Sequence, residues 1–397
     1  MKKYLEVVTG AYLSLVMMSG VATAAPDVTN TINKGSVLFF PSIDIEGSKD
    51  TIIRLQNDYS EDVAVKCNWK NGTKFHVDFQ FVVTKSQPVW FSAKHGSGST
   101  NGTSPFPTDE GPLCCQGDGR FYRPYQGELM CWAVNVNGSA QVAWNHLAGS
   151  ATVIDYANLT AYEYNSWNFR AVDLSDPAPG KPRARQEGSI VGNPGSIRFN
   201  GVDYDACPQY LIGHFSPRGY VLNPGPDADT EVLTGPTRLV VASCRQDVRQ
   251  APREKFTKLR FYVTNGEEAG FSGSWHCMDS WADFALDEID NARSNMTFGT
   301  LKTATARFMM QGVEDRTVCR PYLPRKATAE AAGVIGIMVR SIDLPVPYAT
   351  EPPTEAPTEA PVDPLPRELR TLLTTLPLNP AGQSKTKAAD GILWDPN

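Results

Sequence analysis

Short runs of β-branched and aromatic residues, separated by Asn, Gly, Asp and Pro, recur along the chain and restrict it to an all-β fold. Ser36 to Phe40, Thr51 to Leu55, Val63 to Trp69, Phe75 to Val83, Met130 to Val136, Ala151 to Tyr156, Arg238 to Ala242, Leu259 to Val263, Thr303 to Met309 and Val334 to Val339 are such runs. Thr51-Ile52-Ile53-Arg54-Leu55 has the alternation that puts one strand face on a core and the other in water. Segments this short imply antiparallel sheets, and the pattern predicts immunoglobulin-like β-sandwiches. Helical periodicity is scarce. Asp279, Asp283 and Asp287 recur every four residues and would line a solvated helix face, but the same stretch fits a strand with Ala282, Phe284 and Leu286 inward. The period leaves both open.

The chain has 397 residues, 41% of them hydrophobic, so a domain length of about 100 to 200 residues predicts two domains. From Asp173 to Asn200 the composition shifts to Pro177, Pro179, Gly180, Pro182, Gly188, Gly192, Pro194 and Gly195. This stretch reads as a linker (173–200) between one sandwich at 26–172 and a second at 201–346. The halves echo each other faintly. Thr51-Ile52-Ile53-Arg54 and Thr257-Lys258-Leu259-Arg260 each precede an asparagine turn (Asn57-Asp58, Asn265-Gly266), then a segment holding Trp and Cys (Cys67 with Trp69, Trp275 with Cys277). After Tyr348 a Pro-Thr-Glu-Ala unit repeats through Glu351 to Pro361. Its rings fix φ and remove backbone donors, so it reads as an extended spacer opening a Pro-rich, disordered tail (347–397). Within that tail, Arg367 to Leu378 has the spacing of a short amphipathic helix.

The N-terminus reads as a secretory signal peptide over 1–25. Lys2 and Lys3 are followed by the mostly apolar run Leu5 to Val21 and the small residues Ala22-Thr23-Ala24. The expected location is therefore the periplasm, the cell surface or the extracellular space. No later stretch approaches the roughly 18 apolar residues of a membrane span. A net charge of -6 without a basic block argues against nucleic acid or anionic lipid as partner.

Eight cysteines, Cys67, Cys114, Cys115, Cys131, Cys207, Cys244, Cys277 and Cys319, form an even set that an oxidising compartment turns into disulfides. None has the Cys-x-x-Cys spacing of a zinc or redox turn. Adjacent Cys114 and Cys115 would strain a mutual bond, so each seeks a different partner or one stays free. With the linker separating two cores, Cys67 is expected to pair with Cys114, Cys115 or Cys131, and Cys207 with Cys244.

Chemistry-bearing motifs are few. The sequence has no Gly-x-Ser-x-Gly elbow, His-Glu-x-x-His helix or Gly-x-x-x-x-Gly-Lys loop. His76, His95, His146, His214 and His276 lie far apart. His276 beside Cys277 is the best reactive pair, because an imidazolium lowers a thiol pKa, but a disulfide would consume that thiol. The glycine-rich run His95 to Gly102 could cradle an anion through its backbone amides, but it does not open a helix and reads as a flexible loop. Tyr156, Tyr162, Tyr164 and Trp167 cluster in sequence, and such rings either stack on sugars or pack a core. No catalytic, cofactor-binding or metal-ligating residue emerges.

Gln87-Pro88-Val89-Trp90-Phe91-Ser92-Ala93, Gly127-Glu128-Leu129 before Cys131, Gly149-Ser150-Ala151-Thr152-Val153, and Tyr204-Asp205-Ala206-Cys207-Pro208 before His214-Phe215 together resemble a group of exported bacterial proteins of unassigned activity. The resemblance implies export and no particular site. The expected function is a non-enzymatic envelope or surface component, acting by binding a protein or surface glycan or by self-assembly. The alternative is an extracellular glycan-binding module or hydrolase.

Overall fold

Val37-Leu38-Phe39-Phe40 and Leu239-Val240-Val241-Ala242 are apolar at every position. An unbroken run marks a strand covered on both faces, and these strands organise the molecule. The computed structural model describes residues 28–72, 76–86, 88–96, 125–172, 186–192, 197–226, 231–244, 255–289, 296–315, 318–319, 328–329, 331–343, 371–377 and 379–380.

Four sheets hold all the strands. The first has the order β4 (His76–Val83), β3 (Val63–Lys70), β6 (Gln126–Val134), β1 (Val37–Asp44), β9 (Trp167–Phe169). The second is β5 (Val89–Ser92), β2 (Lys49–Asn57), β7 (Leu147–Asp155), β8 (Thr160–Asn165). In the third, β12 (Val232–Cys244) lies between β18 (Gly333–Asp343) on one side and β11 (Val221–Asn223) with β15 (Trp281–Ala285) on the other, and β19 (Thr371–Pro377) follows β18. The fourth is β14 (Gly270–Met278), β13 (Lys255–Asn265), β16 (Ala306–Val313), β10 (Tyr210–Phe215), β20 (Asn379–Pro380), with β17 (Thr328–Ala329) on β13. Pairing is antiparallel apart from β17. Among the described residues, a 3-10 turn at Leu286–Glu288 and one short α-helix, α1 (Phe298–Leu301), lie between β15 and β16.

The protein is thus all-β, with its antiparallel sheets set in a four-bladed, propeller-like ring. This replaces the two separate immunoglobulin-like sandwiches expected from the strand pattern, and the reason lies in β1, β12 and β18. Val37 and Phe39 of β1 join Trp167, Leu239, Val241, Phe261, Phe308 and Met338 in one apolar cluster. Leu38 and Phe40 point the other way and join Ile53, Val65, Phe91, Val153, Val240, Ile337 and Val339 in a second. A sandwich strand gives one face to a core and the other to water. Here the same strands serve two cores, so apolar contacts run across both halves of the chain. Trp167 adds a polar tie, donating from Nε1 to the Gly336 carbonyl oxygen at 3.0 Å.

Residues of the expected linker that are described pack as part of this body. Val191, Ile197 and Phe199 are buried in the first cluster, and the Phe199 ring lies 4.0 Å from that of Phe169. The echo between halves does not extend to topology, since β13 and β14 pair as neighbours while β2 and β3 belong to different sheets. The tail reading is also corrected. Instead of a helix over Arg367 to Leu378 in a disordered tail, residues 371–377 pair with β18 from Asp343↔Thr371 to Ile337↔Pro377. Thr371, Thr374 and Thr375 favour extended backbone, Pro377 cannot donate to a helix, and the edge of β18 supplies partners. The signal segment, the Pro-Thr-Glu-Ala repeat and Cys114 with Cys115 lie outside the described residues.

Among the described residues, three disulfides pin the body. Cys67 and Cys131 face each other across β3 and β6, with Cα atoms 4.1 Å apart. Cys207, just before β10, bonds Cys244 at the end of β12, tying the fourth sheet to the third. Cys277 of β14 bonds Cys319 beyond β16.

Candidate functional site

The densest meeting of polar side chains grows from an irregularity in β1. Its ladder with β6 shifts between Phe40 and Ile43, where Pro41 has no N–H to give. The backbone groups released there are taken by two other sheets. Trp281 of β15 donates from Nε1 to the Pro41 carbonyl oxygen at 2.7 Å. From β8, the Tyr164 hydroxyl accepts from the Ser42 N–H at 3.1 Å and donates to the Ser42 carbonyl oxygen. The Tyr162 hydroxyl lies 2.9 Å from Ser42 Oγ. Alternation along β8 is what turns both tyrosines to the same side, toward β1.

Charged groups gather around this bulge. Arg238 of β12 forks onto Asp283 of β15, with Nε 3.2 Å from Oδ1 and Nη2 on Oδ2, while Lys49 of β2 reaches Asp44 of β1 at 2.7 Å. Asp44 and Asp283 are 8% and 11% exposed, against 42% for Arg238. Burial pushes the Asp283 carboxyl up even though Arg238 opposes it. Burial works against the Arg238 cation, yet Asp283, Tyr162 and Asp44 hold it above its ordinary value. Burial also raises the Tyr162 and Tyr164 hydroxyls, so both remain protonated donors. Each carboxylate has its own cation, Tyr164 has the Ser42 backbone and Tyr162 the Ser42 hydroxyl, and the arrangement acts as a joint binding three sheets.

A second constellation surrounds His146. Its Nδ1 lies 2.9 Å from Asp58 and its Nε2 3.5 Å from Glu187, with the Tyr59 ring 4.5 Å away. Lys34 also reaches Asp58. Burial opposes the charged form of Asp58, but hydrogen bonds from Lys34 and His146 hold its carboxyl below the ordinary value. Both imidazole nitrogens face carboxylates, so one pair must open before the ring can take a proton from a ligand.

Residues singled out in the sequence land as follows. Tyr162 and Asp283 meet at the joint. Asp287 lies instead by Arg218, 3.3 Å away. The strand alternative for this stretch holds over Trp281–Ala285, where β15 turns Phe284 into the first cluster, while Leu286, also in that cluster, opens a 3-10 turn at Leu286–Glu288. His276 stacks on Phe284 with centroids 4.1 Å apart, and its neighbour Cys277 is in a disulfide. Tyr156 is exposed in the turn after β7 while Tyr164 of β8 and Trp167 of β9 are buried, so the aromatic cluster divides between surface and core. Trp90, not part of that cluster, is half-exposed on the outer face of the second sheet, beside Arg54 in the register. Arg54 in turn meets Thr152 at 2.7 Å and Glu163 at 3.3 Å. Among the described residues, no three His, Cys, Asp or Glu side chains come together to hold a metal, and no helix is long and apolar enough to cross a membrane.

Fold and site define a disulfide-bonded all-β protein whose principal polar cluster joins its own sheets. No protein-family model matches the chain, and no curated protein does. Among solved structures, the PBSX exported protein XepA covers 73% of this chain and 86% of its own at 7% identity and a TM-score of 0.17. The CupB6 tip adhesin from Pseudomonas aeruginosa covers 89% and 94% at 9% identity and a TM-score of 0.11. Likenesses this distant define neither fold nor function.

Proposed function

We propose that the protein is an exported, disulfide-stabilised envelope or extracellular component that acts by binding or assembly. One observation carries the reading: three disulfides staple a body in which Asp44, Asp283, Tyr162 and Tyr164 are occupied in joining sheets. Disulfides persist outside the reducing cytosol, and the segment 1–25 is the proposed export signal. The test is to alkylate thiols before lysis and map peptides by mass spectrometry in each cell fraction. The expected result is a chain beginning near Ala25 in the envelope or medium with its cysteine pairs intact. Recovery from the cytosol with free thiols overturns the reading.

Trp90, half-exposed beside Arg54 on the outer face of the second sheet, favours a surface glycan as one binding partner, since an indole face stacks on a sugar ring and an arginine donates to its hydroxyls. Glycan-array binding that is lost in W90A and kept in W90F supports this. Equal binding by W90A and the parent removes it.

A further inference from the structure

We infer that β19 is an exchangeable strand, and that the edge of β18 takes residues 371–377 from a second copy of this chain. The inference deepens the assembly reading by naming the partner. Seven register pairs join β18 to β19, from Asp343↔Thr371 to Ile337↔Pro377. Yet 27 residues, 344–370, separate the two strands in sequence. An antiparallel pair needs only about two to five connecting residues. Fully extended, the connection would span about 80 Å at ~3.1 Å per residue, whereas a chain of this length has a radius of gyration of about 21 Å. The connection is therefore long enough to deliver the strand to its own body or to a neighbour's.

The acceptor edge has reason to be filled. Ile335, Ile337, Met338 and Val339 of β18 are buried, and without β19 the outward backbone groups of Ile337 to Asp343 would form an open edge on an apolar strand, the arrangement that recruits another chain. Strand addition supplies main-chain hydrogen bonds whichever copy donates. Because the two arrangements make the same pairs, the balance between them is set by effective concentration. A tether of this length gives its own strand an advantage on the order of millimolar. A second copy competes when neighbours are held at comparable density, as on a crowded surface. Residues 379–380 extend the engagement, pairing with Ile212 and Leu211 of β10, so a donated segment would bridge two sheets of the acceptor.

The test uses the full exported chain and cysteines at one register pair, Ile342↔Leu372. Separately purified I342C and L372C variants are mixed at about 0.5 mM in a glutathione redox buffer, so that even infrequent exchange is trapped. A mixture of S60C with L372C, which places the first cysteine on an exposed turn, measures random coupling. The expected result is a covalent dimer bridging positions 342 and 372, at least tenfold above that control. A single chain carrying both I342C and L372C should close an internal bridge. Should a variant misfold, the pair D343C with T371C replaces it. An internal bridge with no dimer above control overturns exchange and leaves β19 an intrachain strand, while absence of the internal bridge overturns the pairing itself. Neither outcome alters the cell fraction in which the protein is found, so failure here and failure of the export reading remain distinct.

Discussion

Substituting Arg238 by Met isolates what the three-sheet joint contributes. The change removes both donors on Asp283 and leaves a carboxylate 11% exposed. Breaking a buried ion pair costs about 3 to 5 kcal/mol, but Arg238 is 42% exposed, so solvent screening reduces the expected loss to about 2 kcal/mol. In urea titration with a slope of about 3 kcal/mol/M, the midpoint should fall by about 0.7 M. The double variant R238M/D283L replaces both partners by apolar groups and should return to within about 0.5 kcal/mol of the parent. The loss should also depend on pH. Burial raises Asp283 even in the parent, and without Arg238 it rises further. The penalty is then full at pH 7 and disappears as pH falls below the ordinary carboxylate value of 3.8, where the folded and unfolded carboxyls are both protonated. Additive single and double variants, or a penalty equal at pH 4 and pH 7, would show that the fork and its burial do not govern stability here.

Other perturbations test separate features. C67A/C131A opens a loop with a sequence separation of 64 and should cost about 4 kcal/mol; a loss below about 1 kcal/mol in guanidinium titration would contradict the bridge. G127A should cost about 3 kcal/mol or more, since a Cβ there would lie 2.1 Å from the Lys70 carbonyl oxygen at a φ of 158°; a parent-like urea midpoint would contradict this contact. Burial first, then Arg307 and Arg340, lowers the His214 pKa. The folded state thus resists protonation, and stability should decline as pH falls from 6.5 toward the depressed value. H214Q should flatten the change in Tm between pH 7.5 and 5, and an unchanged slope would rule out this residue as the cause.

All ten apolar runs read from the sequence overlap strands, because a run with turn residues at both ends has little alternative to extended backbone. The shorter strands carry no such signal. Val89 to Ser92 and Trp167 to Phe169 give too few residues for a period, and the alternation of β8 is masked by the aromatic character of Tyr162 and Tyr164, which either stack on a ligand or pack a core. Packing was less legible than pairing. Val37 to Phe40 signals a strand buried on both faces, but the chain does not state which sheets cover it. The joint was hidden for the same reason, since Ser42 meets Tyr164 across 122 residues. Pro41, inside an otherwise strand-forming run, was the one local signal of a bulge. For His146, nothing nearby in sequence announces Asp58 or Glu187.

The hydrogen bond from Trp281 to Pro41 spans 240 residues, which has a consequence for the order of folding. Strand β1 emerges early in synthesis, but its bulge cannot be satisfied until β15 has followed, and its two faces are covered only once β12 and β18 are present. Contacts closed over such distances are slow to form, because the entropy of closing the intervening chain is lost before the contact repays it. Until then, the apolar quartet of β1 is an aggregation hazard. A chain threaded through a membrane in extended form avoids that hazard while it is confined, and meets it when the last strands are released. The interval between the arrival of β1 and that of β18 is therefore the stage at which a holding factor would have the greatest effect on yield.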